Sequence, residues 1–218
     1  MNYNILSPFE YLPYFTMAGF RQLAGGEIAD DQHARVALHR WVKAEHLITL
    51  KKGVYMHRRF FERHRQEPAF SPLVSAILLP QSYLSLEYAL QQHGMLTEIT
   101  YPVTAITLKN TRTITNLAGT FVFRHIKPEL YMGFRILEAY GVPYAQASPA
   151  KALFDYLYLR PLPANTNPLA FNLAEELRLN LDELSAAQRY EFAGYVAVSQ
   201  MAKMQHILEN LEFHLWRP

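Results

Sequence analysis

An α+β fold is what this 218-residue chain predicts, and three observations carry the expectation. Residues 31–55 read as an amphipathic helix running straight into a tight hairpin. Between Val103 and Ala147, β-prone runs follow one another too closely for helical crossovers, which favours a mainly antiparallel sheet. Beyond Ser148, helical patterns dominate.

In the first of these stretches, Ala34, Ala37, Leu38 and Trp41 fall on one narrow arc of an ideal helix. Gln32, His33, Arg35, Val36, His39, Arg40 and Lys43 take the opposite side. Asp30 or Asp31 caps the start, where negative charge also suits the helix dipole. By ideal phasing Glu45 falls near the apolar arc. Val36 stands amid the basic face; contact with a thymine methyl is the sharper reading, an idle exposed valine the plainer one. Leu47–Leu50 and Val54–Met56 are strand-like, and Lys51-Lys52-Gly53 between them suits a type I turn closed by glycine at positive φ.

Upstream, Pro8–Tyr14 offers Phe9, Leu12 and Tyr11 as an apolar face. Thr16 caps a helix over Met17–Leu23, which Gly25-Gly26 ends. A basic helix for the major groove followed by a lysine-tipped β-wing is the winged helix-turn-helix plan. The expected organisation is therefore an N-terminal winged helix-turn-helix DNA-binding domain over 1–59 and a linker over 60–72. A larger α+β domain, with a mainly antiparallel sheet and C-terminal helices, fills 73–218.

Charge placement supports this division. Between His33 and Arg65 stand Arg35, Arg40, Lys43, Lys51, Lys52, Arg58, Arg59, Arg63 and Arg65, against only Glu45 and Glu62. The whole chain is only +2, so the remainder is mildly acidic. Such asymmetry is the electrostatic footprint of a nucleic-acid-binding module joined to something else.

The polar, proline-bearing stretch Phe60–Pro72 reads as the linker, and Leu73–Leu79 is an apolar run. A helix opens at Ser85, its cap, and stops near Gly94. Strands are expected at Val103–Lys109, Thr111–Asn116, Gly119–Ile126 and Gly133–Ala139, with a further one at Tyr144–Ala147. Ser148-Pro149 opens another helix, on which Lys151 and Asp155 stand at i, i+4. An exposed pair of this kind contributes only ~0.2–0.5 kcal/mol; buried and facing Glu87, the two would mark a site. Arg160–Pro168 breaks the chain. Helices follow over Leu169–Arg178 and Ser185–Leu211, the latter bent at Gly194, with Ser199 and Lys203 interrupting its apolar stripe.

The absence of cysteine excludes disulfides, cysteine zinc sites and thiol chemistry. No apolar run reaches the ~18 residues of a membrane span, and the N-terminal residues lack a signal-peptide layout, so a cytoplasmic protein without a membrane partner is expected. There is no glycine-rich phosphate loop, HExxH or GxSxG, and no acid-plus-ExK nuclease pattern. His57 and His64, beside arginines, read as solvated linker residues. The expectation is a non-enzyme needing no metal and no cofactor.

Three segments in order, Leu50-Lys51-Lys52-Gly53-Val54-Tyr55, Ser85–Leu90 with His93-Gly94, and Ala147–Asp155, resemble the AbiEi family, the antitoxins of type IV toxin–antitoxin systems. The resemblance covers roughly Phe9–Leu159. Lys52 stands where arginine is common and Ala150 where glutamate is common. The family implies an N-terminal winged helix that represses its own operon at promoter inverted repeats. It also implies a C-terminal domain countering a nucleotidyltransferase-like toxin without a stable complex.

On this reading double-stranded DNA is the partner. Arg35, His39, Arg40 and Lys43 enter the major groove, Arg35 and Arg40 toward guanine edges. Lys51 and Lys52 reach phosphate or the minor groove, and Arg58 and Arg59 reach phosphates. About six neutralised phosphates give a log–log salt slope near −5. Two rivals are a ligand-sensing winged-helix regulator and a module whose winged helix contacts protein.

Overall fold

The computed structural model describes residues 3–24, 30–97, 101–161, 171–182 and 184–216, and it has α+β architecture. The chain folds as two compact units. One comprises Met1–Pro80 with Ile114–Thr120 and Glu138–Tyr144; the other comprises Gln81–Thr113, Phe121–Leu137 and Ala145–Pro218.

In the first unit a 3-10 helix, Tyr3–Tyr11, precedes β1 (Phe15–Thr16) and α1 (Met17–Ala24). The Thr16 hydroxyl accepts from Gly19 N–H, capping α1 as its position predicts. The Gly25-Gly26 stop lies outside the described residues. Of the apolar face expected on Pro8–Tyr14 only Phe9 is buried, together with Leu6; Tyr11 and Leu12 are exposed. The reason is where the helix ends: at three residues per turn Leu6 and Phe9 share its inward edge, and Leu12, next in that row, lies beyond the last residue, Tyr11.

α2 (Asp31–Lys43) is capped by Asp30, whose carboxylate accepts from His33 N–H at 2.8 Å. Its inward face is Ala34, Ala37, Leu38 and Trp41, as the periodicity requires. They pack with Phe9, Phe15 and Phe20, and the Phe20 and Trp41 rings meet edge-on at 5.5 Å. The helix ends in a Schellman turn: His46 N–H donates to Trp41 C=O and Glu45 N–H to Val42 C=O. Glu45 occupies the left-handed position at φ 60°, so it has left the helix and points to solvent rather than into the apolar arc.

β2 (Leu47–Lys51) and β3 (Val54–His57) form the hairpin, with Gly53 at φ 76°. β1 adds a third strand, giving the order β1-β3-β2. A bulge between Thr49 and Lys51 leaves Lys51 inside β2, paired with Val54. The turn is thus shorter than the three-residue loop expected.

The stretch 60–72, expected as a linker, is folded. α3 (Arg58–His64) and α4 (Phe70–Leu78) occupy most of it and bury Phe60, Phe61 and Phe70. Those aromatic residues are the reason: burying them stabilises more than an extended segment can.

The six-stranded sheet has the order β6-β7-β5-β4-β9-β8. Its strands are β4 (Ser82–Leu84), β5 (Val103–Thr107), β6 (Arg112–Asn116), β7 (Gly119–His125), β8 (Phe134–Ala139) and β9 (Val142–Ala147). It is mixed, not antiparallel throughout. β4 and β5 are antiparallel, but β5 pairs parallel with β7 and β4 parallel with β9. A parallel neighbour is reached without a helical crossover because hairpin strand β6 steps out to the edge and lets β7 return beside β5.

α5 (Leu86–Gln92) follows β4, and α6 (Pro149–Leu159) follows β9. α7 is the single turn Leu173–Glu176; the start of the helix expected from Leu169 lies outside the described residues. The long C-terminal helix is two helices, α8 (Ala186–Ser199) and α9 (Ala202–His214). The break comes at Gln200, in left-handed conformation, and not at Gly194. Ser199 makes it, its hydroxyl donating to Val196 C=O and accepting from Met201 N–H. Lys203 leaves the stripe to donate to Tyr158 C=O and Arg160 C=O at the end of α6. Among the described residues no helix is long and apolar enough to cross a membrane.

Left-handed backbone costs a non-glycine residue roughly 1–2 kcal/mol. Glu45→Gly is therefore expected to raise stability by about 1 kcal/mol, since glycine's looser unfolded chain returns part of the gain. Denaturant titration followed by tryptophan fluorescence reads it, and a loss of stability would contradict the Schellman assignment.

Candidate functional site

Two clusters of polar side chains stand out, one on the surface and one sealed inside. The surface cluster is the outer face of α2, where Gln32, His33, Arg35, Val36, His39, Arg40 and Lys43 are all exposed. Helical spacing places Arg35, His39 and Lys43 along one edge, with Val36 and Arg40 beside them. Val36, 44 % exposed, is the face's one apolar member. Asp31, the acid at the start of the helix, is ion-paired with Arg21. Lys52 adds an exposed cation at the hairpin turn.

Other residues expected on this surface are occupied elsewhere. Lys51 Nζ donates to Ile77 C=O at 2.6 Å and Leu78 C=O at 3.0 Å, satisfying the carbonyl end of α4. Arg59 forks onto both oxygens of Glu10 at 2.9 Å, and Arg58 Nε donates to Glu62 at 2.8 Å. Each cation met a local acceptor that sequence spacing alone did not reveal, except the i, i+4 partner Glu62. His57 and His64 also differ from the solvated reading. His57 is buried, and its Nδ1 accepts from Arg59 N–H at the start of α3. His64 packs on Phe60 and Tyr140 and bonds to Glu67.

The sealed cluster joins α6 to β4 and α5. Lys151 and Asp155 are both 0 % exposed and meet at 2.6 Å. The second Asp155 oxygen accepts from Ser85 Oγ at 2.8 Å and from the Tyr83 hydroxyl at 3.0 Å. The ammonium lies 4.7 Å from the Phe154 ring centre and 5.2 Å from that of Tyr195, within cation–π range. Burial pushes the Asp155 carboxyl up and the Lys151 ammonium down, while the ion pair opposes both shifts. Burial first, then the Asp155 charge, holds the Tyr83 phenol far above its ordinary range.

Ser85 was expected to cap α5, yet its hydroxyl is spent on Asp155. The capping role passes to Thr104 of β5, which accepts from Tyr88 N–H and donates to Ser85 C=O. Ser148 does cap α6, accepting from Lys151 N–H, and donates to Glu191 at 2.6 Å. His93 Nε2 bonds to Ala147 C=O at 2.9 Å. The segments Ser85–Gly94 and Ala147–Asp155, far apart in sequence, thus meet around one internal unit. Glu87 is no partner of the buried pair. Fully enclosed, with both carboxylate oxygens satisfied, that pair cannot reach a substrate and acts as a packing constraint.

A cavity of about 690 Å³ opens elsewhere in the second unit, lined among others by Tyr101, Arg124, Tyr156, Arg160, Glu87 and Glu176. No protein-family model matches the chain, and no curated protein matches it.

Removing one partner of a buried pair strands the other. Lys151→Met or Asp155→Leu is expected to cost roughly 3–5 kcal/mol, and the double variant Lys151→Met/Asp155→Leu less than the sum, all read by denaturant unfolding. Additive losses would contradict direct coupling. A pH dependence follows from His57 and His93, whose pKa values burial holds below the ordinary 6.5. The unfolded chain then binds more protons, so stability rises with pH and declines as pH falls below 6.5. His57→Asn keeps a side-chain acceptor for Arg59 N–H and should flatten that decline in melting profiles; an unchanged slope would clear His57.

Proposed function

We propose that the chain is a DNA-binding transcriptional autorepressor and the antitoxin of a type IV toxin–antitoxin pair, acting by binding and not by catalysis. One observation supports the first half above all. The solvent face of α2 carries Arg35, His39, Arg40 and Lys43 with no acid among them, and it is followed by the β2–β3 hairpin, whose turn presents Lys52. Such a helix and hairpin suit the roles of recognition helix and wing. Arg35 and Arg40 suit the paired acceptors of guanine, Lys43 and Lys52 suit phosphates, and His39 reaches either. The second half rests on the AbiEi resemblance: the partner is a nucleotidyltransferase-like toxin, countered without a stable complex.

Because Lys51, Arg58 and Arg59 are engaged by acceptors within the chain, about four cations (Arg35, Arg40, Lys43, Lys52) remain for the duplex, and the slope of log K against log salt should be near −3.6. Electrophoretic shifts with the chain's upstream DNA measure it. Arg35→Ala and Arg40→Ala should each lose about 1–3 kcal/mol of specific affinity, whereas Lys51→Ala should act mainly through stability. Equal shifts for wild type and the Arg35→Ala/Arg40→Ala double variant would end the helix assignment. Co-expression with a neighbouring nucleotidyltransferase-like gene tests the antitoxin half, since growth must recover only when this chain is present.

A second reading, a ligand-sensing regulator, is favoured by the 690 Å³ cavity, whose size suits a small molecule. A large ligand-induced rise in melting temperature across a metabolite panel would support it over the antitoxin reading.

A further inference from the structure

We propose that the 690 Å³ cavity of the second unit binds a nucleoside phosphate, with guanidinium groups for the phosphate and apolar surface for the nucleoside. The proposal deepens the ligand-sensing reading and rests on it only in taking the cavity for a binding site. Four elements build the walls. β5 and β7 run side by side in parallel, with Thr104 opposite Val122 and Ile106 opposite Arg124. Strand alternation puts Thr104, Val122 and Arg124 on one face, and that face lines the cavity. α5 packs on β5 and contributes Leu86 and Glu87. The end of α6 supplies Leu159 and Arg160, and the turn after α7 supplies Arg178.

Three guanidinium groups, Arg124, Arg160 and Arg178, thus share one lining with two carboxylates, Glu87 and Glu176. Arg160 is held from two sides. Its carbonyl accepts from Lys203 Nζ at 2.6 Å, and its Nη1 donates to the Tyr156 hydroxyl at 2.8 Å. Arg124 and the half-buried Glu87 have no side-chain partner among the described residues. Backbone strain gathers here as well. Five non-glycine residues described take left-handed backbone, and two of them, Leu86 at φ 59° and Arg178 at φ 52°, line this cavity. Arg178 closes a Schellman turn, its N–H donating to Glu175 C=O and that of Leu179 to Ala174 C=O. Glycine is the usual residue at that position. An arginine there bears the strain and brings a guanidinium to the cavity, as strained residues at ligand sites do.

The lining narrows the occupant. Arginine matches phosphate with paired donors, and three arginines against two carboxylates favour an anion. A bare phosphate would leave Leu86, Val122 and Leu159 in water. A hydrocarbon acid would leave the Glu87 carboxylate against apolar surface without a donor. A nucleoside phosphate satisfies all three, since its ribose hydroxyls or ring N–H groups can donate to Glu87. The volume lies within the range of about 300–1,000 Å³ usual for such sites, and ligands of this size reach micromolar affinity.

Calorimetric titration of the full chain with ADP, GDP, CDP and UDP tests the site. At least one should bind in the micromolar range, and its free nucleoside and inorganic phosphate should each bind at least about tenfold more weakly. Arg124→Gln, at an exposed strand position, and Arg178→Gly, where glycine is at ease, should each weaken that nucleotide by about tenfold or more with unchanged circular dichroism. Arg135→Gln, exposed in the same unit but outside the lining, should not. The proposal is overturned by no binding of any of the four at about 1 mM, by inorganic phosphate binding as tightly, or by affinity that survives both substitutions. Tighter binding of a short single-stranded oligonucleotide through the same arginines would also overturn it. The sensor reading fails separately: if the saturating nucleotide binds yet leaves affinity for upstream DNA unchanged, the site stands and regulation through it does not.

Discussion

The second unit is organised around one buried charge pair. Lys151 and Asp155 sit on consecutive turns of α6, so the helix itself fixes their separation, but neither charge is stable in the interior unless every remaining lone pair is met. Tyr83 and Ser85 meet them. They stand at the end of β4 and the start of α5, so satisfying Asp155 also fixes where β4 ends and how α5 leaves it. Leu86, immediately after Ser85, takes a left-handed backbone at φ 59°, a strained conformation for leucine. That strain persists because the hydroxyl of Ser85 and the side chain of Leu86, itself buried, are both held. The aromatic rings of Phe154 and Tyr195 close the ammonium off, and Gly133 is confined beside them: a Cβ there would lie 2.1 Å from the Tyr195 hydroxyl oxygen. An apolar pair would pack here at lower electrostatic cost. What it would not do is require these particular neighbours.

Basic residues in the first unit divide by a related rule. A cation is available to a ligand only if the fold offers it nothing better. Lys51 finds the carbonyl end of α4, where the helix dipole and unsatisfied acceptors favour it, and Arg59 finds both oxygens of Glu10. The guanidinium groups of Arg58 and Arg65 lie over Phe61 and that of Arg63 over Tyr11. Among the described residues the α2 cations have no such alternative. The inward quarter of that helix is committed to Trp41 and Leu38, and the rigid rod holds the other side chains away from internal acceptors.

Legibility from sequence followed the range of the interactions. The burial of Ala34, Ala37, Leu38 and Trp41, the caps at Thr16, Asp30 and Ser148, and the strands between Val103 and Ala147 depend on residues within a turn or a hairpin, and all were readable. Long-range pairings were not. Nothing local reveals that Ser85 bonds to Asp155 seventy positions away, that Lys203 ends α6, or that β7 returns parallel to β5. The α2 face was legible as a pattern, because amphipathicity is a local property. Which cations beyond it remained free was decided by Glu10 and the α4 carbonyls, and no spacing rule reaches those. Ser199 and Lys203, which look like defects in a helical stripe, were signals of a break and a cap.

On the DNA-binding reading, this division has a consequence for mechanism. A surface with few unengaged cations draws only a modest, salt-sensitive affinity from phosphates, so discrimination must come from α2's own side chains at base edges. Those side chains are short of reach except for Arg35, Arg40 and Lys43, and the helix fixes the angular spacing between them. One helix reads a few base pairs at most, and a site of that length recurs too often to be distinctive. Occupancy of a particular promoter then requires two recognition helices acting together, by pairing of chains or by neighbouring half-sites. Linking two modest binding events raises the effective affinity of the second without any new base contact.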